Sequence, residues 1–204
     1  LDYRFWEKSA LTLGFKHATM EDALDFKPIV TDDGVFNARG NIGDGTRDEL
    51  TVNFSIPLDR FKIKGGEFKV DYTKFKTSVT DPITGQSRPI SNVNPDVYVI
   101  NFIQNLPKHR TSCGVEIDSL NNMEQFNATD YYHFKSASWI ALWAEYKTKN
   151  NLTWGVVWQN PFKRRDQYTR TVWSGQRGDS PVQEVQYNLS YGRPFVIVRV
   201  KKEL

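Results

Sequence analysis

The sequence predicts an all-β, antiparallel, up-and-down fold, and three observations carry that prediction. Apolar residues recur with a period of two through one run after another. No stretch keeps the 3.6-residue period of an amphipathic helix for more than a turn or two. The connections between the runs alternate between short and long.

The runs can be taken in chain order. Leu11, Leu13 and Phe15 share one face and Thr12, Gly14 and Lys16 the other. In LTVNFSI, Leu50, Val52, Phe54 and Ile56 oppose Thr51, Asn53 and Ser55. In EFKVDYT, Phe68, Val70 and Tyr72 oppose Glu67, Lys69, Asp71 and Thr73. Cys113, Val115 and Ile117 oppose Ser112, Gly114, Glu116 and Asp118. Leu152, Trp154, Val156 and Trp158 oppose Thr153, Gly155 and Gln159. In the last run Val196, Val198 and Val200 alternate with Phe195, Ile197 and Arg199. Side chains of a strand point alternately to its two faces, so each run has one apolar and one largely polar side.

The connections follow a rule. WEKSA, PLDRFKIKGG, LPKHR and KTKNN are short. Between them lie long excursions at about 20–47, 77–95, 119–136 and 161–185. One of these, SVTDPITGQSRPIS at 78–91, is polar, with Asp81-Pro82 to start a turn and Gly85 to relax it. About nine strands with short turns at one end and long loops at the other match a membrane-spanning barrel, whose periplasmic turns are short and extracellular loops long. Strands 1, 3, 5, 7 and 9 then run toward the periplasm, which puts the C-terminus there. Charged rows such as Glu67, Lys69 and Asp71 would face a wet lumen, or bulk water if the sheet belongs to a soluble protein.

Composition narrows the function classes. No apolar run reaches the roughly eighteen residues a transmembrane helix needs. Residue 1 is Leu and no secretory signal opens the sequence, so the chain reads as processed, truncated or partial. The net charge of +3 comes from interleaved acids and bases, which argues against a nucleic-acid surface. Cys113 is the only cysteine, so neither an intrachain disulfide nor a cysteine-based zinc site is expected. His17, His109 and His133 are scattered, Ser174-Gly175 lacks a nucleophile elbow, and GNIGDG lacks the Lys-Ser/Thr of a phosphate loop. Glu116 and Asp118 form a carboxylate pair more simply read as wall. No catalytic residue, metal ligand or cofactor is expected.

IPLDRFKIKGGEF (56–68), SVTDPITGQSRPIS (78–91), NFIQNLP (101–107), WIALWAEYKTKNNLTWGVVWQNPF (139–162) and YGRPFVIVRVKKEL (191–204) occur in that order. With GNIGDGTRDEL (40–50) they span nearly the whole chain, which resembles the C-terminal half of the barrel of a TonB-dependent outer-membrane receptor. The resemblance implies a barrel of about twenty-two strands filled by an N-terminal plug. It implies active import of a siderophore, vitamin or carbohydrate, driven by the TonB complex acting on the plug. The implied partners are the lipid bilayer, lipopolysaccharide, the plug and remaining barrel strands, the barrel-assembly machinery acting on the C-terminal strand, and a small nutrient ligand, with no nucleic acid. Members of the family usually end in an aromatic residue; this chain ends in Leu204, which keeps the parity of Val196, Val198 and Val200.

The candidate ligand-binding residues are Arg164, Arg165, Tyr168, Arg170, Trp173 and Arg177, in the last long excursion beside Lys163. Arginine forks suit phosphate and carboxylate. The cluster can meet an anionic ligand at the receptor mouth or lipopolysaccharide phosphates, or it can be a solvated loop paired with Asp166 and Asp179. Tyr131, Tyr132, Phe134, Trp139 and Trp143 read as interfacial girdle or as lumen lining. Two other classes stay open: a soluble all-β binding or adhesion domain, and a porin-like passive channel.

Overall fold

The computed structural model describes residues 1–6 and 8–202. In chain order the strands are β1 (Asp2–Phe5), β2 (Ser9–Met20), β3 (Leu24–Thr31), β4 (Gly34–Asn41), β5 (Gly45–Pro57), β6 (Gly66–Thr80), β7 (Ser87–Arg88) and β8 (Asp96–Leu106). They continue with β9 (Thr111–Asp118), β10 (Asn122–Phe126), β11 (Asp130–Ser136), β12 (Trp139–Lys147), β13 (Leu152–Gln159), β14 (Arg164–Trp173), β15 (Val182–Gly192) and β16 (Phe195–Lys202). Only two single 3-10 turns, Asp59–Phe61 and Pro107–His109, interrupt the strands among the described residues.

Nine strands form one antiparallel path, β1-β2-β5-β6-β8-β9-β12-β13-β16, with β7 pairing beside β6. Strands adjacent in this path follow one another along the chain apart from the excursions, which is the expected meander. The path is open: β1 and β16 are its two edges, and no closed barrel forms from the described residues.

The structure departs from the sequence reading in the excursions. They are not structureless. The first contains the hairpin β3–β4, and β10, β11, β14 and β15 form a second sheet. Each of these four continues a strand of the main path after a short break, as at Asn160 and Lys163, both in the left-handed backbone region. The walls therefore extend past the main sheet. β6 alone has 15 residues, about 50 Å at the usual strand rise.

Register aligns the faces across the whole sheet. Ile56, Phe68, Phe102, Val115, Leu142, Trp158 and Val196 stand opposite one another in sequence of strands. Tyr3, Leu11, Phe54, Val70, Ile100, Ile117 and Ile140 make a second row. The other face carries Ser55, Lys69, Asn101, Glu116, Ala141 and Gln159. Trp139 and Trp143 lie on this polar face, opposite Asp118 and Gly114. Gly114 is required there, because a Cβ would sit 2.4 Å from the Phe102 carbonyl oxygen and 2.8 Å from the Trp143 indole.

Among the described residues nothing packs over the apolar face. The buried apolar side chains among the described residues are Ala23, Ile56, Val79, Ala128 and Ala141, too few for a core. Phe15, Val156 and Val198 are 72%, 44% and 63% exposed. The short turns are tight by contrast. Asp59 accepts a hydrogen bond from the Gly65 N–H, and Gly65 adopts φ 74° with the Asn105 carbonyl oxygen 2.5 Å from where a Cβ would lie. Leu204, whose outward parity the sequence suggested, lies outside the described residues.

Candidate functional site

The polar interactions concentrate at the long-loop end. Arg164 opens β14, donates to Asp166 at 3.2 and 2.8 Å, and sits 5.3 Å from the Trp139 ring. Burial pushes the Asp166 carboxyl up, but hydrogen bonds from Arg164 and Ser136 outweigh it and hold it below the usual range. Arg165 is exposed and donates to the Tyr187 hydroxyl at 3.1 Å. Tyr168 packs 4.9 Å from Phe134 and 5.7 Å from Tyr132. Arg170 binds Asp130 through Nε and Nη2 at 2.8 and 2.5 Å and lies over the Tyr132 ring. Burial and a 2.7 Å hydrogen bond to Asp130 push the Tyr132 hydroxyl up to about 12. Trp173 ends β14, its N–H bonded to the Thr129 carbonyl.

The predicted cluster is thus placed on a strand rather than in a loose loop, and it is not convergent. Arg164 and Arg170 are satisfied by neighbouring carboxylates. Arg165 keeps its guanidinium in solvent.

Arg177 belongs to a different assembly, which the sequence reading missed. Its Nη2 donates to Asp81 Oδ2 at 2.6 Å and its Nε to the Asn127 carbonyl at 3.1 Å. Arg88 donates to the same Asp81 oxygen from Nε at 2.8 Å and to Asp25 Oδ2 from Nη1 at 2.6 Å. Both guanidiniums approach the Phe126 ring, at 4.6 and 5.5 Å from its centre, so the aromatic ring adds a cation–π attraction to the ion pairs. The remaining Arg88 Nη2 has no hydrogen-bond partner.

The backbone completes the network. Ile83 and Thr84 N–H groups donate to Asp81 Oδ1 at 2.8 and 3.2 Å, which closes the turn of the 78–91 stretch. Ser91 donates its N–H to Asp25 at 2.9 Å, and its hydroxyl accepts the Phe126 N–H at 3.1 Å. Asp81 is 1% exposed. Burial pushes its carboxyl up, but the Arg177 hydrogen bond, the Ile83 and Thr84 N–H groups and the Arg177 charge together hold it below the ordinary value. Two arginines and two aspartates balance in charge, so the assembly is a clasp between the β3–β4 hairpin, the β6–β8 loop, the end of β10 and the β14–β15 loop. Only the turn at Asp81-Pro82 was visible beforehand; Arg88 lies seven residues on in the same stretch, but Arg177, and Asp25 on the far side of Arg88, are too distant in sequence for local pattern to reveal.

Among the described residues no three His, Cys, Asp or Glu side chains gather as a metal site. No family model matches the chain, and neither a curated protein nor a solved structure matches it.

Proposed function

We propose that this chain is the C-terminal part of the barrel of a TonB-dependent outer-membrane receptor, an active importer of a small nutrient such as a siderophore, vitamin or carbohydrate. In this reading the apolar rows meet lipid, the opposite face lines a lumen, and the long-loop end faces the medium. Transport rests on a plug outside these residues. The chain supplies wall, loops and the periplasmic C-terminal strand, and Arg165 is the group of the predicted cluster best placed to meet a ligand or a lipopolysaccharide phosphate.

One observation supports the reading: nine strands present continuous apolar rows that no other described part of the chain covers. A soluble sandwich places such a face against a second sheet about 10 Å away. Here the second sheet prolongs the wall instead. Lipid satisfies an apolar face of this extent, and β2, β5, β6 and β8, of 12, 13, 15 and 11 residues, have the length of roughly 9–11 residues that a tilted strand needs to cross a bilayer.

The test uses the tryptophans. Trp154 and Trp158 lie on the apolar face. In membranes containing brominated lipid their fluorescence is expected to be quenched, and substitution of both by Phe removes most of the quenching. Emission indifferent to brominated lipid, with the protein recovered in the soluble fraction, defeats the proposal in favour of a soluble domain. A plug-encoding segment joined to the chain separates the importer from a passive porin.

A further inference from the structure

Pairing is not divided cleanly between the two ends of the sheet: Lys69, beside a short turn, holds Glu67 at 3.0 Å, and Arg165, at the long-loop end, meets the Tyr187 hydroxyl, but one group of cations at the short-turn end stands apart. At the long-loop end Arg88, Arg164, Arg170 and Arg177 each hold a carboxylate. At the short-turn end, among the described residues, the side chains of Arg110, Arg199 and Lys201 hold none. These three line one groove of about 440 Å³ together with Lys147, Glu145 and Gly155. Register explains the convergence. Glu145 stands opposite Gly155, which stands opposite Arg199, and Thr153 stands opposite Lys201. Gly155 presents no side chain, and its position faces the Glu145 and Arg199 side chains at 3.6 and 3.7 Å, so the floor of the groove lies between charged walls.

We infer that this groove docks a carboxylate-rich polypeptide segment. Among the described lining residues four cations, Arg110, Lys147, Arg199 and Lys201, stand against the one carboxylate of Glu145, an excess that an acidic segment neutralises. The face decides the class of partner. Arg199 and Lys201 alternate with Val198 and Val200, so they point away from the apolar rows and cannot reach lipid headgroups on that side. The groove opens on the polar face, which the proposed function makes the lumen, and the inference rests on that reading. Charge complementarity of this kind fixes register and orientation more than it adds affinity.

A zero-length cross-linker tests it. Membranes of cells producing the protein are treated with a water-soluble carbodiimide, which joins a lysine amine to a carboxylate in direct contact. Cross-linked peptides are read by mass spectrometry. Lys201 is expected to be joined to an Asp or Glu outside residues 1–204, in a run where acids outnumber bases, and Lys202 on the opposite face is not. Arg199→Glu is expected to lower the yield at Lys201 about fivefold, the scale of one exposed charge contact, while Arg199→Lys retains it. Links from Lys201 confined to carboxylates of residues 1–204, equal linking of Lys202, or a yield unmoved by Arg199→Glu overturns the inference. Brominated-lipid quenching of Trp158 in the same membranes tells the two failures apart. Quenching without the links removes the docking groove alone, and absence of both removes the lumen with it.

Discussion

Asp81 and Arg177 stand 96 positions apart in the sequence, and in the fold Nη2 of the arginine donates to Oδ2 of the aspartate at 2.6 Å. The same oxygen takes Arg88, which reaches on to Asp25. Three excursions that the sequence presents as independent loops are thereby held at one buried ionic centre, against the ring of Phe126 on β10.

Removing one member of a buried ion pair leaves an uncompensated charge, at a cost of roughly 3–5 kcal/mol. Asp81→Ala strands Arg177 and half of Arg88. The expected result is local: 82–87 and 174–181 become susceptible to protease while the main sheet keeps its circular dichroism. Arg165→Ala, an exposed change, is expected to leave the loops protected. Equal protease patterns for the two variants would show that the clasp contributes nothing to loop order.

Acid releases the same centre. The folded Asp81 carboxyl titrates below its unfolded value of about 3.9, so its contribution is fully present above that pH and is lost as pH falls through the lower folded value. Backbone exchange at Ile83 and Thr84, whose N–H groups bond Asp81, is expected to accelerate only below about pH 4. Asp81→Asn removes the acid step. A step centred near pH 6 would assign the opening to another group.

The strands were legible because one apolar face per strand imposes a strict period of two. The rows through Phe54, Val70 and Ile100 follow directly from it. Beyond the apolar belt that constraint ends. On β14, RRDQYTRTVW, neither side is apolar, so the alternation vanishes although the strand continues. The breaks at Asn160 and Lys163 hide the continuity further. The clasp was illegible for another reason. Asp25, Arg88 and Arg177 are common loop residues, and only the distant pairing gives them meaning. The arginines of the last excursion looked like a patch because they are close in sequence; carboxylates on β11 and β14 divide them.

The loop structure also refines sidedness. Trypsin applied to intact cells is expected to cut after Lys163 and Arg165, which are exposed, and to spare Arg88 and Arg177, which are buried. Lys108, Arg110 and Lys149 lie at the short turns and are expected to be cut only after the membrane is opened. Cutting at Lys149 but not Arg165 in intact cells inverts the orientation. Cutting at both shows a protein free of the membrane.

The open edges β1 and β16 make an assembly prediction. Unpaired backbone groups cost several kcal/mol each in hydrocarbon. Residues 1–204 alone are therefore expected not to give a heat-resistant monomeric pore, and to gain one when the complementing strands are supplied. A closed, heat-resistant monomer of this segment alone, seen by gel mobility and circular dichroism, contradicts the open edges in the structure.

The face of β16 gives the sharpest test of inside against outside. Val198 stands opposite Val156 on the apolar side, 63% exposed, and Ile197 opposite Val157 on the other. Composition alone leaves the two faces alike at this point, because Phe195 and Ile197 are as apolar as the valines. Register separates them: the valines continue the rows of Trp154, Val156 and Trp158, while Ile197 shares its side with Arg199. An arginine on the lipid face near mid-membrane costs roughly 2–4 kcal/mol and much less on a wet wall. Val198→Arg is therefore expected to lower folding yield in lipid well below that of Ile197→Arg, measured in the complete barrel. Equal losses mean that both faces are buried, as between stacked sheets. A greater loss at Ile197 means that lipid meets the face carrying Lys69, Glu116 and Arg199, against the exposed rows of valine and tryptophan on the other.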